Sequence, residues 1–318
     1  MGMKILVAYD GSKSSDNAIR DLNVAGFPTR EVDVLAMSVA EVWMPPPPNG
    51  NGFNAEDFPD FVNEWAERRL KVAKSAVNEA ETLSRHAKEK ISERFPGWTV
   101  SAFSTYGSPA WEVLIKADEF KPDVIVVGSQ GRNAVSRILL GSVSRKILTE
   151  AECTVRISRR YRRDAALPNR VMIGFDGSTG SDLAVEAVAA RNWESGTEIQ
   201  LVAAVQSLVP TTIGRFIPPI RDWVKDDFRS EKHLIEKLAE QAFRRLEGVG
   251  VETTLHIEDG NPKQVLVDLA EKWNATSIFM GAHSYHSEMA KLLVGCTSTA
   301  VVERAQCSVE AVRGPSKP

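Results

Sequence analysis

The sequence predicts an α/β protein built from two doubly wound parallel sheets, one in each half of the chain. Three observations predict it. Asp-Gly-Ser occurs twice, at Asp10-Gly11-Ser12 and Asp176-Gly177-Ser178, each time just after a short apolar run. Several of the short runs, such as Val124-Ile125-Val126-Val127, are apolar on both faces, as strands buried between two layers of helices are. Stretches of helical periodicity separate the runs, and such strand–helix alternation implies right-handed crossovers.

In the first half the strands are expected at Lys4–Tyr9, Val32–Val39, Thr99–Tyr106, Val124–Gly128 and Thr154–Ser158. In the second they are expected at Arg170–Phe175, Ile199–Val205, Val251–Ile257, Ser277–Met280 and Val309–Val312. The copies can be aligned throughout. Ser15-Asp16 with Ala18 answers Ser181-Asp182 with Ala184, at the same 166-residue offset as Asp10 to Asp176. Gly107-Ser108-Pro109 answers Gly260-Asn261-Pro262 at 153, Gly128 answers Gly281 at 153, and Cys153 answers Cys307 at 154. The drop of about 13 places extra residues in the first half, visible as Trp43 to Gly52 with its run Pro45–Pro48, a stretch that suits neither strand nor helix. A long helix follows, from about Ala55 to Arg94. Its apolar stripe of Phe58, Phe61, Trp65 and Leu70 is expected to pack on the sheet or to extend an oligomer interface. The domains are thus 1–158 and 170–318, joined by a basic segment over 159–169 that reads as a solvated linker.

Composition narrows the function. With 318 residues there is room for two cores, and 43% hydrophobic with 25% charged residues is ordinary for a globular protein. A net charge of −3 gives no strong field for nucleic acid or a membrane surface. No apolar stretch approaches the roughly 20 residues of a membrane span. The first strand begins at Lys4, so no leader is expected, and three cysteines without paired spacing suit a reducing cytoplasm.

The sequence after the fourth strand carries the chemistry. Gly128-Ser129-Gln130-Gly131, nine further residues and Gly141-Ser142-Val143-Ser144 form the pattern G-x2-G-x9-G-S. Glycine at a strand end lets backbone approach a phosphate, and successive bare amides make an anion-binding concavity. Gly141-Ser142 opens a helix, whose free N–H groups and dipole point to the same place. Ser129, Ser142 and Ser144 would add hydroxyl donors, and Arg132 and Arg137 would add charge or face solvent. The alternative is a tight turn followed by a helix start. The spacing matches neither a P-loop nor a dinucleotide fingerprint.

At these residues the chain resembles the universal stress protein family in its tandem form. The resemblance spans nearly the whole chain; its most specific part is the G-x2-G-x9-G-S loop, supported by Asp-Gly-Ser, the later Gly-x-Pro and Ile138-Leu139-Leu140-Gly141-Ser142-Val143. It implies Rossmann-like five-stranded sheets in the order 3-2-1-4-5, paired through their fifth strands about a pseudo-twofold. It implies ATP, with Mg²⁺, across the strand ends in a cytoplasmic stress-response protein. Carried over by position, Asp10 with Gly11 and Ser12 would lie near the adenine and ribose. The Met37 backbone would hold adenine. Gly128, Ser129, Gly131, Arg132, Gly141, Ser142, Val143 and Ser144 would cradle the phosphates. AMP or a cyclic nucleotide would meet the same backbone groups.

The second half departs from the pattern. Ser284 replaces the second glycine, the gap is one residue longer, Cys296 stands for Ser or Thr, and Glu288 adds negative charge. That half is expected to bind ATP poorly or not at all. His283, His286 and Cys296 offer metal-type donors without a fourth ligand. Cys153 and Cys307 read as small buried hydrophobes. No nucleophile–base set stands out, so the chain is expected not to be an enzyme. A nucleotide-free interaction scaffold and a slow ATPase are the rival readings, and association into homo-oligomers is compatible with each.

Overall fold

A computed structural model describes residues 2–43, 60–131, 140–159, 168–205, 218–282 and 295–314. The first half contributes β1 (Met3–Ala8), α1 (Lys13–Asp21), β2 (Val32–Ala40), α2 (Asp60–Arg94), β3 (Thr99–Tyr106), α3 (Pro109–Phe120), β4 (Val124–Gly128), α4 (Ser142–Glu150) and β5 (Thr154–Ser158). The second contributes β6 (Arg170–Gly174), α5 (Thr179–Ala189), β7 (Glu198–Val205), α6 (Pro218–Leu246), β8 (Glu252–Asp259), α7 (Pro262–Lys272), β9 (Ser277–Gly281), α8 (Cys296–Arg304) and β10 (Ser308–Val312).

The strands form one ten-stranded sheet in the order β3-β2-β1-β4-β5-β10-β9-β6-β7-β8. Each half keeps the order 3-2-1-4-5. All neighbours are parallel except β5 and β10, which run antiparallel with Val155 opposite Ala311, Arg156 opposite Glu310 and Ile157 opposite Val309. Fifth-strand pairing therefore occurs within the one chain. It removes two sheet edges that would otherwise present unpaired backbone groups.

Strand composition explains the layers. Val124 to Gly128 and Thr154 to Ser158 are buried at every position, because helices cover both faces of the central strands. One core joins the two halves, with Ile125, Val155 and Ile157 in the same cluster as Ile278, Val309 and Ala311. Separate clusters under α1 and α2 and under α5 and α6 fill the opposite face.

Two expectations need correction. The stripe on the long helix does not reach the sheet at its start: Phe61 and Trp65 are 72% and 54% exposed. The packed face begins lower, at Ala73, and continues through Ala80, Ser84, Ala87 and Ile91. The reason is length. At 1.5 Å per residue α2 spans about 50 Å, whereas strands of eight or nine residues span about 30 Å, so its first turns overhang. Phe58 and the Pro45–Pro48 run lie outside the described residues. The ends of the segment read as a solvated linker are also buried. The Arg159 guanidinium donates to the carbonyls of Val302 (2.8 Å) and Glu303 (3.2 Å). Asn169 donates to the Val24 carbonyl at 3.1 Å. Both residues flank strands in the interior of a continuous sheet, so solvent does not reach them; residues 160–167 lie outside the described ones.

Candidate functional site

A cavity of about 670 Å³ opens beyond the carboxyl ends of β1, β2 and β4, where the chain leaves the sheet in opposite directions. Tyr9 and Asp10 line one wall, Met37 to Val42 a second, and Gly128, Gln130, Gly131 and Gly141 to Ser144 a third; Ala76, Glu79, Ala80 and Leu83 of α2 form the roof.

The Asp-Gly-Ser phrase is an entrance to a helix. Asp10 accepts from the Ser12 amide at 3.0 Å, Gly11 turns the chain at φ +77°, and the Ser12 hydroxyl caps α1 by accepting from the Ser15 amide at 3.1 Å. Asp176, Gly177 and Ser178 repeat all three features. The phrase therefore serves the fold in both halves. Asp10 has a second oxygen, Oδ2, which lies 3.4 Å from the position a Cβ on Gly131 would take.

The glycine loop divides into a packed part and an open part. A Cβ on Gly128 would lie 2.8 Å from the Ser14 carbonyl carbon, and one on Gly281 would lie 2.5–2.7 Å from the backbone of Gly180. These glycines let α1 and α5 close onto the sheet. The Ser144 hydroxyl, read as a phosphate donor, is buried and donates to the Gly128 carbonyl at 2.6 Å; Ser298 does the same to Gly281 at 2.7 Å. Ser129 is buried and donates its amide to the Ser158 carbonyl at 3.0 Å, while its neighbour Gln130 lines the cavity instead. The Ser144 hydroxyl and the Ser129 amide thus each have a bond within the fold.

What remains open is Gly131, Gly141, Ser142 and Val143. The helix α4 starts at Ser142 behind Gly141, which has no side chain to cap it, so its first amides face the cavity without an internal acceptor. Among the described residues a Cβ on Gly131 would meet only Asp10, and one on Gly141 would make only ordinary contacts from 3.5 Å outward. Arg132 and Arg137 lie outside the described residues.

The Met37 carbonyl is engaged, accepting from the Tyr9 amide at 2.8 Å. The Ser38 hydroxyl donates to the Tyr9 carbonyl at 2.7 Å. β2 runs on to Ala40 after β1 has ended, and Val39 has the parity of Met37, so its backbone faces the side β1 has vacated. Sequence reasoning missed Ser38, Val39, Gln130 and the α2 roof. The length of the second apolar run beyond Met37 was the available signal.

Asp10, Glu41 and Glu79 give the lining negative charge, and among the described residues no cationic side chain lines it. Beside it, Asp16 accepts from Lys90 at 2.6 Å and from the Tyr9 hydroxyl at 2.8 Å. Burial pushes the Asp16 carboxyl up, but the hydrogen bonds from Lys90 and Tyr9 outweigh it and hold the group below the usual range. Burial and the Asp16 carboxylate push the Tyr9 phenol up. In the second half Arg245 reaches Asp182 at 3.2 Å from the equivalent helix, so this cation also fastens a long helix to a short one.

The sequence pattern that defines the universal stress protein family matches residues 1–159 and again 168–313. The chain belongs to this family. It is 27% identical over 325 residues to universal stress protein Rv2005c of Mycobacterium tuberculosis, covering 97% of this chain and 96% of that one. It is 32% identical over 158 residues to universal stress protein YxiE of Bacillus subtilis, covering 49% of this chain and 98% of that one. In fold it is similar to a universal stress protein from Archaeoglobus fulgidus, with a TM-score of 0.56, 23% identity and 98% of each chain covered. Among the described residues no helix is long and apolar enough to cross a membrane.

The second universal stress domain keeps the packing half of the loop. Gly295 donates to the Ala282 carbonyl at 2.7 Å as Gly141 does to Ser129 at 2.8 Å, and α8 opens at Cys296. His283, Ser284, His286 and Glu288 lie outside the described residues; among those described, no cluster of metal-type ligands forms. Burial pushes the Cys153 thiol up to about 11 and the Cys307 thiol up to about 12, whereas Cys296 is exposed. Iodoacetamide at neutral pH is therefore expected to modify Cys296 alone in the native protein and all three cysteines after denaturation, as read by intact mass.

Proposed function

We propose that the first domain binds an adenine nucleotide, ATP with Mg²⁺, as a regulatory ligand in a stress response, and that the second is its non-binding partner. The observation that carries this reading is the uncapped start of α4 behind Gly141, opening with Gly131 onto the cavity. Among the described residues neither glycine is demanded by packing, since a Cβ at either site would meet no described atom closer than 3.4 Å. Bare amides at a helix N-terminus suit a phosphate tail, and the backbone of Val39, facing the side β1 has vacated, suits an adenine edge better than the engaged Met37 carbonyl. The fit to Mg²⁺ rests on donor chemistry. The Asp10 carboxylate beside Gly131 is a hard oxygen ligand, and a lining with carboxylates and no described cation suits phosphates that arrive with a divalent ion. Among the described lining residues there is no nucleophile paired with a general base, which favours a ligand that shifts conformational populations over one that is turned over.

Calorimetric titration with ATP and Mg²⁺ tests this. One nucleotide per chain is expected. Gly131→Val is expected to lower affinity at least about 100-fold, about 3 kcal/mol, with unchanged thermal unfolding. Two equivalent sites, or undiminished affinity in Gly131→Val, would contradict the proposal.

A further inference from the structure

β5 and β10 come from equivalent places in the repeat: Cys153-Thr154-Val155-Arg156-Ile157-Ser158 aligns with Cys307-Ser308-Val309-Glu310-Ala311-Val312. Their antiparallel register is centred on one pair, Arg156 opposite Glu310. The residue on the pseudo-twofold is therefore an arginine in one half and a glutamate in the other. Both side chains are fully buried, and Arg156 Nη1 reaches Glu310 Oε2 at 3.0 Å.

The surrounding charges are reversed as well. Asp21 holds Arg156 through Oδ2 to Nε at 2.7 Å and Oδ1 to Nη2 at 3.2 Å; the position equivalent to Asp21 at the 166-residue offset is Ala187. Arg191 holds Glu310 at 2.5 Å; its equivalent is Ala25, whose carbonyl accepts the other Arg191 nitrogen at 2.6 Å. Each half thus contributes one acid and one base to this buried network, placed on opposite elements in the two halves. Two first halves paired in this register would set Arg156 against Arg156, and two second halves Glu310 against Glu310. Like charges directly opposite on paired strands repel, and burial removes the water that would screen them.

We propose that this axis pair specifies the partner of each fifth strand: the β5 edge accepts the β10 edge of the tandem's other half and rejects its own kind. A surface of the sort that pairs identical units has become one that pairs only unlike ones.

A double-mutant cycle on the full chain tests this, using Arg156→Gln, Glu310→Gln and the double variant in urea unfolding. Each single variant leaves a buried charge facing an amide across the axis and is expected to raise the unfolding equilibrium constant at least about 100-fold. The double variant is expected to be at least about 10-fold more stable than the product of the single effects predicts. Glu310→Arg, which recreates a like-charged axis, is expected to open the pair and shift the protein from the compact wild-type species to a larger one in light scattering. If a single variant does not fold, recovery of folded protein in the double variant reads the same coupling. Additive effects, no rescue by the double variant, or a Glu310→Arg protein with wild-type size and stability would overturn the proposal and leave Arg156 and Glu310 serving only Asp21 and Arg191 within their own halves.

Discussion

Gly281→Ala should destabilise the protein as much as Gly128→Ala, by about 1–3 kcal/mol in each case, although only Gly128 belongs to an intact loop. The added methyl at 281 would lie within 2.7 Å of Gly180 backbone atoms, and at 128 within 2.9 Å of the Ser14 backbone. Real Cβ atoms do not approach backbone so closely, and neither helix can retreat without opening the core beneath it, which includes Ile19 on one side and Val185 on the other. Gly131→Ala, with only a side-chain oxygen 3.4 Å away among the described residues, should change stability by less than about 0.5 kcal/mol. Urea unfolding of the three variants checks the order. Were Gly128→Ala to lose nucleotide without losing stability, the close approach of α1 would not be the reason for glycine there.

Asp21→Ala should have the largest effect of a single truncation, about 3–5 kcal/mol. Asp21 is buried, and its two oxygens accept from Arg156, from the Ser158 hydroxyl at 2.8 Å and from the Ser308 hydroxyl at 2.8 Å. Removing it leaves a guanidinium that is 0% exposed with a single carboxylate and strips two buried hydroxyls of their acceptor. Burial lowers the affinity of Arg156 for its proton, but Asp21 and Glu310 more than reverse this, and the Asp21 contribution disappears in the variant. Asp21→Asn retains an acceptor oxygen and should fall between the wild type and the alanine variant. Because Ser308 lies in the second half, both halves should unfold together at lower urea, as read by Trp98 and Trp193 fluorescence. Independent loss of the first half alone would show that Asp21 does not couple the two.

The repeated module, the strands and the strand-end location of the cavity were legible in the sequence because they follow from periodicity and from a phrase written twice. The roles of individual loop residues were less so. Gly128 and Ser144 have the residue types that a phosphate site asks for, yet each is engaged in packing. The signal that separates the two uses was present: Gly281 and Ser298 persist in the half whose loop has decayed, as fold-bearing residues do. That the Met37 carbonyl is engaged by Tyr9 while β2 runs on past the end of β1 could not be read from composition, because the end of β1 relative to β2 is a matter of register, which one strand's composition does not contain. The overhang of α2 was hidden for a similar reason. An apolar stripe reveals which side of a helix is suited to packing, but not how far the neighbouring strands extend. The buried charge network left no local pattern at all, since Arg156 in a five-residue strand looks like any alternating surface position. Only the alignment of one half on the other brings out the opposed charges.

The antiparallel join between β5 and β10 has a consequence for how the protein behaves when scarce. Two separate subunits meeting along such a seam would come apart as their concentration fell below the dissociation constant. Here the second body is tethered to the first, so its local concentration is set by the connecting segment and not by expression level. The continuous sheet should therefore persist at trace abundance, and the strand-end cavity with it.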